Sequence, residues 1–371
     1  MDYNSPVSGR DIFKALADHD GIVMAANIRI QHSIRGIMEA AKEMDAAVLF
    51  EIAKSEVGYT DQQPDEFVRV IKQVAKEVDF DTPYCIHGDH ITVSENTSEA
   101  IASAENLIKK EIAAGFTSYA IDASHNFDLK ACSVRDALAD NIEITTCLSR
   151  LVPEEYGLEV EVGEIGRIDP NTGQKEITTV EEAVTFIKAL NDNGVYPDLL
   201  ATNNGTEHGN IYDKNGNVIA KVGIDIKRTK DINDAIRPFG VRIAQHGITG
   251  TPLEFMDKLI TAGILKGNVG TNWQNIALEN FPKGLMSRME KWALDNYAEA
   301  ARKKNPKISD KEIIGKNIKN AIKPFKQDIA NIDKKHKQKI YKASYDSAMG
   351  FFEAFNAGGT GKIVRDYIES K

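Results

Sequence analysis

Residues able to move protons, hold a metal or cradle a phosphate gather in six short segments of this sequence. They are His87, Asp89 and His90; Asp122, Ser124 and His125; Glu159 and Glu161, with Glu164 just beyond; Asn203 and Asn204, running into His208; Gln245 and His246; and Asn268 and Thr271. Five of the chain's eight histidines fall in these segments. A single such histidine is most often a packed rim residue. Several on one rim are hard to explain as packing, because buried imidazoles need partners. Neutral imidazole suits zinc, and three protein ligands with one open position is the catalytic arrangement. Two glycine-containing turns, 205–209 (GTEHG) and 246–250 (HGITG), offer backbone amides and Thr hydroxyls to a phosphate.

Each polar segment closes or follows an apolar run. In order the runs read GIVMAAN (21–27), AAVLFEIA (46–53), YCIHGDH (84–90), SYAIDAS (118–124), LEVEVG (158–163), DLLATNN (198–204), VRIAQHG (241–247) and LKGNVGT (265–271). Most lack a wet face, as expected of parallel strands covered by helices. The intervening stretches 31–44, 65–78, 97–114, 180–193 and 252–262 predict helices. Asn96 with Glu99, and Thr179 with Glu182, have capping-box spacing at two helix starts. Eight strand–helix alternations imply an α/β fold, a (β/α)8 TIM barrel, whose active site lies at the C-terminal strand ends. The competing open sheet for dinucleotides loses ground because no GxGxxG follows the first run. A barrel over 1–280 is expected, then a helical C-terminal extension over 281–371 packed on it. The extension is rich in lysine, which predicts mostly a solvated surface.

The chain has 371 residues, a net charge of −9 and 42% hydrophobic residues, a soluble globular composition. No apolar run approaches the roughly 20 residues that span a bilayer. Residues 1–10 are polar and predict no signal segment. Cys85, Cys132 and Cys147 offer neither a disulfide framework nor a CxxC motif, so a reducing cytoplasm is expected. The acidic balance argues against nucleic acid as the main partner.

The segments resemble, in order, motifs of the class II fructose-bisphosphate aldolases over about residues 20–276. His87-Gly88-Asp89-His90 is similar to the family's H-x-D-H, and 115–125 (GFTSYAIDASH) to its GFTS…IDxSH. Glu159 to Gly163 resembles E-x-E-L-G, and Gly205 to Gly209 resembles G-T-x-H-G. Gln245 to Gly250 resembles the stretch ending H-G-G-S-G, and Lys266 to Thr271 resembles K-I-N-I-D-T. The resemblance implies an aldehyde-lyase that reversibly cleaves a phosphorylated ketose, most directly fructose 1,6-bisphosphate, to dihydroxyacetone phosphate and glyceraldehyde 3-phosphate through a metal-stabilised enediolate. It implies His90, His208 and His246 as ligands of one divalent ion, Zn2+, and Asp122 and Glu161 as second-site ligands or their supports. A second metal or a monovalent cation is an alternative. It also implies Asp89 as the acid/base, with Gly209, Gly247, Thr249, Asn268 and Thr271 on the phosphate and backbone of the ketose. A homodimer or higher homo-oligomer is expected.

The departures fall on substrate-contacting groups. Gly270 stands where the family motif has Asp, 247–250 reads GITG, and the family's Q-x-S appears as Glu51-Ile52-Ala53. The loop after the fifth run lacks the family's G-G-x-E-D pattern, leaving Glu164, Asp169 or Glu176 as the mobile base. A distal phosphate needs a cation, and the resemblance implies that Lys335, Lys339 or Lys342 supplies it, from this chain or a neighbouring subunit. Another ketose, such as tagatose 1,6-bisphosphate, is the alternative substrate. A barrel hydrolase would want H-x-H on the first strand, which here ends in Ala26-Asn27. A non-catalytic metal-binding scaffold is the reading outside enzymology.

Overall fold

The computed structural model describes residues 5–163, 177–205, 211–212, 218–219 and 223–371. Eight strands form where the apolar runs predict them: β1 Val23–Asn27, β2 Val48–Ala53, β3 Tyr84–Thr92, β4 Ser118–Asp122, β5 Gly157–Glu161, β6 Leu199–Ala201, β7 Arg242–Gln245 and β8 Ile264–Val269. They close into a parallel barrel, β1 pairing with both β2 and β8. The (β/α)8 expectation is therefore met.

Period-two alternation sorts each strand between two cores. Met24, Ala26, Phe50, Ile52 and Ile86 face outward and pack against the helix layer, which includes Ile37, Phe67, Ile71 and Ile108. Val23, Ala25, Leu49 and Cys85 face inward and form the apolar floor. That floor is sealed by Ile12, Phe13 and Leu16, from the helix Gly9–Ala15 and its C-cap. Further along the same inward rows stand Glu51, His87, Asp89, Glu159 and Glu161, all buried. The barrel interior thus runs from apolar floor to polar mouth.

The helix over 180–193 starts as predicted, at Val180. Thr179 Oγ1 accepts from Glu182 N at 3.1 Å, and Glu182 Oε2 accepts from Thr179 N at 2.5 Å. The predicted Asn96 cap is corrected by one residue. Thr97, with extended φ and ψ, is the N-cap of the helix Ser98–Ala114, and its hydroxyl accepts from Ala100 N. Helices Gly9–Ala15, Lys54–Thr60 and Ala139–Ser149 were not anticipated.

Beyond β8 come the helices Thr271–Glu279, Lys283–Lys304, Asp310–Asn317, Lys326–Ala330, Lys334–Ala354 and Thr360–Glu369. Helix Lys334–Ala354 lies against helix Ile34–Met44 so closely that a Cβ on Gly36 would fall 2.3 Å from the Tyr341 carbonyl oxygen. No helix among the described residues is long and apolar enough to cross a membrane.

Candidate active site

Alternation along a strand should send Asp89 and His90 to opposite faces. They share a face because β3 is irregular there: its register with β4 shifts between Gly88 and Ile91, and His90 has φ of 42°. A non-glycine residue with positive φ is held by its surroundings and marks a site where geometry is tightly specified. The result puts both side chains at the mouth. Asp89 is buried, its Oδ2 accepting from Asn27 Nδ2 at 2.8 Å and its Oδ1 from Asn268 Nδ2 at 3.1 Å. Burial alone would raise its pKa, but His90, Lys266 and His246 hold it well below the usual carboxylate range. Asp89 is therefore ionised and starts as a proton acceptor.

His90 Nδ1 lies 2.6 Å from Glu161 Oε1 and 3.4 Å from Asp122 Oδ2. Asp122 is fixed in turn by Ser124, whose hydroxyl and amide both donate to Oδ1. Burial opposes charge on the His90 ring, yet Glu161 and Asp89 raise its pKa well above the ordinary value. Across the mouth, the His246 ring centroid stands 4.2 Å from that of His90. His246 Nε2 is 2.7 Å from Glu159 Oε1. An ionised carboxylate only accepts, so Nε2 carries the hydrogen, and Nδ1 is the acceptor nitrogen turned toward Asn268. A carboxylate behind an imidazole in this way orients metal-binding histidines.

Below the mouth lies a buried ion network. Lys266, fully buried, has Nζ 2.8 Å from Glu159 Oε2, 3.0 Å from Glu51 Oε2 and 3.3 Å from His87 Nε2. Lysine only donates, so His87 Nε2 accepts and Nδ1–H donates to Ser118 Oγ at 2.7 Å. Burial and the Lys266 ammonium push the His87 pKa down to about 3, so this ring is neutral. Burial would lower the Lys266 pKa, but Glu159 and Glu51 raise it, keeping the ammonium charged. A charged, sealed lysine cannot form a Schiff base.

The mouth opens into a cavity of about 480 Å³ lined by Asp89, His90, Asp122, Glu161, His246, Gly247, Thr249, Asn268 and Thr271. Those nine expected site residues are thus brought together. His208, Gly209, Glu164, Asp169 and Glu176 lie outside the described residues. Lys335 is exposed on helix Lys334–Ala354 and does not line the cavity; Lys339 and Lys342 are exposed too. The extension reaches the cavity instead with Gly315, Lys316 and Lys319. Sequence reasoning missed Arg29, Glu56 and Tyr59, which also line it. Arg29 and Glu56 follow β1 and β2 at barrel-strand ends, a positional signal that was available. The network of Lys266, Glu51 and His87 could have been suspected from charges set inside apolar strands.

One atom from each of Asp89, His90 and His246, and likewise from His90, Asp122 and Glu161, comes within 4.8 Å of the others, so either group could hold a metal. Comparison with known proteins agrees with this chemistry. A fructose-bisphosphate aldolase of Giardia intestinalis is 28% identical over 240 residues, covering 64% of this chain and 63%, just under two thirds, of that protein. The fructose-bisphosphate aldolase of Ureaplasma parvum is 27% identical over 275 residues, covering 74% of this chain and 82% of its own. Among solved structures, the YdjI aldolase of Escherichia coli K12 superposes with a TM-score of 0.62 at 18% identity, covering 96% of this chain and 99% of the other, a likeness of fold. The family profile described as fructose-bisphosphate aldolase class-II matches residues 7–339, and the chain belongs to that family of metal-dependent aldehyde-lyases.

Proposed function

We propose that the chain reversibly cleaves a phosphorylated ketose to dihydroxyacetone phosphate and an aldehyde, with fructose 1,6-bisphosphate giving glyceraldehyde 3-phosphate as the leading case. The observation that carries this reading is the 4.2 Å approach of the His90 and His246 rings beside Asp89 on the cavity wall. Imidazoles with adjacent carboxylates are a donor set that fits zinc. His90, His246 and His208 would hold the ion, with Asp122 and Glu161 as further ligands or supports. When bound, it would act as a Lewis acid on the ketose carbonyl and hydroxyl oxygens.

The chain's own residues would do the rest. Asp89, ionised and gripped by two amides, would accept the hydroxyl proton at the carbon–carbon bond that breaks, and return it in condensation. Glu164, Asp169 or Glu176 would serve the carbon-bound proton of the ketone half. Gly247, Thr249, Asn268 and Thr271, with Gly209, would seat the ketose phosphate and backbone. We further propose a cytoplasmic homodimer or larger homo-oligomer. Tagatose 1,6-bisphosphate is the second substrate to test, because Ala53 and Gly270 alter the lining where the family motifs carry Ser and Asp.

The test is metal content and ketose-phosphate cleavage, with and without chelator. Chelation should abolish turnover and Zn2+ restore it. His246→Ala and His208→Ala should each lose bound metal. Asp89→Ala should keep metal while turnover falls by about 10²–10⁴-fold. Unchanged metal content in both histidine variants, or cleavage indifferent to chelation, would defeat the reading.

A further inference from the structure

Strand β1 pairs with β8, Ala26 lying against Val269, so the segments that leave the two strands run side by side. Arg29 stands on the first and Thr271 on the second. Gln62, buried, fixes the backbone of the first, its Nε2 donating to the carbonyls of Ile28 at 2.9 Å and Arg29 at 3.1 Å. The guanidinium is fixed as well. Its Nε donates to Glu56 Oε1 at 2.6 Å, and its Nη1 donates to Thr271 Oγ1 at 3.2 Å and Gln274 Oε1 at 3.1 Å. Glu56 is itself committed, Oε1 also accepting from the Tyr59 hydroxyl at 3.3 Å and Oε2 from Ala53 N at 3.0 Å. A planar fork held on two sides, with its side chain 16% exposed, has little freedom to turn.

A threonine hydroxyl carries one hydrogen and can accept as well as donate. Arginine only donates, so in their contact the Thr271 oxygen accepts and its own hydrogen is left over. Thr271 makes no other side-chain hydrogen bond among the described residues, and it lines the cavity. Thr249, in the same lining, is set the same way: its Oγ1 accepts from Asn272 N at 3.3 Å. Two hydroxyls whose accepting side is engaged by the protein are donors to whatever enters. They differ in what holds them. Backbone holds Thr249, whereas a side chain from across the β1–β8 seam holds Thr271. Gly270 belongs to this arrangement. A Cβ there would lie 3.4 Å from Arg29 Nη2. An aspartate, the residue of the family motif, would bring a carboxylate to the guanidinium, and a charged acceptor outcompetes a neutral hydroxyl.

We propose that Arg29 is a positioning residue for the ketose half of the substrate. It holds the Thr271 hydroxyl as a hydrogen-bond donor to that half, and Gly270 leaves it available for the task. The proposal rests on the aldolase reading above. Arg29 acts through Thr271 and does not itself touch the substrate.

The experiment is condensation of dihydroxyacetone phosphate with glyceraldehyde 3-phosphate on the metal-loaded full chain, with bound metal measured in parallel. The variants are Arg29→Lys, which keeps a cation beside Glu56 but loses the fork, Thr271→Val, and the two combined. Each single variant should raise the KM of dihydroxyacetone phosphate about 10-fold, the loss of one hydrogen bond. Bound metal and the KM of glyceraldehyde 3-phosphate should not change. The combined variant should also stand about 10-fold above wild type, not the roughly 100-fold of two independent losses. Gly270→Asp should raise the same KM although it restores the motif residue, and should add nothing to Thr271→Val; this pair decides the matter if Arg29→Lys does not fold. Independent losses would mean that Arg29 acts other than through Thr271, and would overturn the proposal. So would loss of metal in Arg29→Lys, a rise confined to the KM of glyceraldehyde 3-phosphate, or a Gly270→Asp variant that takes dihydroxyacetone phosphate as well as wild type does. Wild type that performs no condensation would instead bring down the aldolase reading, and the proposal with it.

Discussion

At the residue scale, the site depends on charges buried beneath it. Lys266 bridges Glu51 and Glu159, and Glu159 in turn fixes the hydrogen of His246 on Nε2. One ammonium can neutralise only one of the two carboxylates, and a buried charge left without a partner is costly. Glu51 shows the tension: burial and Asp89 raise its pKa well above normal, against the opposing pull of Lys266. Lys266→Met would leave Glu159 and Glu51 facing each other without a cation. Breaking a buried pair by removing one member costs about 3–5 kcal/mol. The variant should therefore show a lower denaturant midpoint and weaker metal retention, since His246 loses its orientation. Wild-type stability in Lys266→Met would mean that the ammonium does not hold this layer together.

At the element scale, helix Ser98–Ala114 buries Ala104, Ile108 and Glu111, the spacing of an apolar stripe with a carboxyl at its last position. Glu111 sits where a Cβ on Gly88 would come 2.3 Å from its Oε2, so β3 needs glycine at the centre of His87-Gly88-Asp89-His90. Its carboxyl oxygens make no hydrogen bond among the described residues, and burial raises its pKa well above the ordinary carboxylate range. Below about pH 4.5 both folded and unfolded chains hold the proton and nothing is lost. Above it the unfolded chain ionises while the folded one resists, so stability falls as pH rises toward the folded value. Glu111→Gln keeps the shape and removes the titration. It should stabilise by about 1–3 kcal/mol at pH 7 and by little at pH 4, read from denaturant midpoints. An equal gain at both pH values would show that ionisation is not the cause. Such elements divide what was legible from what was not. The eight strands and the Thr179 capping box could be read because periodicity and caps are local. The bulge that turns His90 inward could not, since alternation predicts the opposite face. Nor could the helix Lys54–Thr60, whose residues show no apolar period, or the meeting of Arg29 with Lys319, which are 290 positions apart by sequence number.

At the scale of the whole molecule, the extension is built into the barrel's own cores. Ala348, Phe351, Phe352 and Phe355 of the extension belong to the same apolar cluster as Met24 and Phe50 of the strands. Val364, from the last helix, joins the barrel floor beside Val23 and Leu49. A chain ending at residue 280 keeps every strand and most expected site residues, yet it loses all of these. Burying a phenylalanine side chain contributes about 1.5–3 kcal/mol, so the three phenylalanines alone account for about 5–9 kcal/mol. That is comparable to the whole stability of an ordinary domain, about 5–15 kcal/mol. The truncated chain should therefore fail to fold on its own, giving aggregates or a species without near-ultraviolet circular dichroism. Phe352→Ala in the full chain should cost about 3–5 kcal/mol, the range for a large buried aromatic. A soluble 1–280 fragment with native-like dichroism and bound metal would refute this, and would mean that strands and covering helices suffice without the extension. The expected outcome instead makes the reach of Lys319 into the cavity a consequence of shared packing, since the chain segment that carries it is anchored by Ile318, Ala321 and Ile322 in a common cluster with Ile30, beside Arg29.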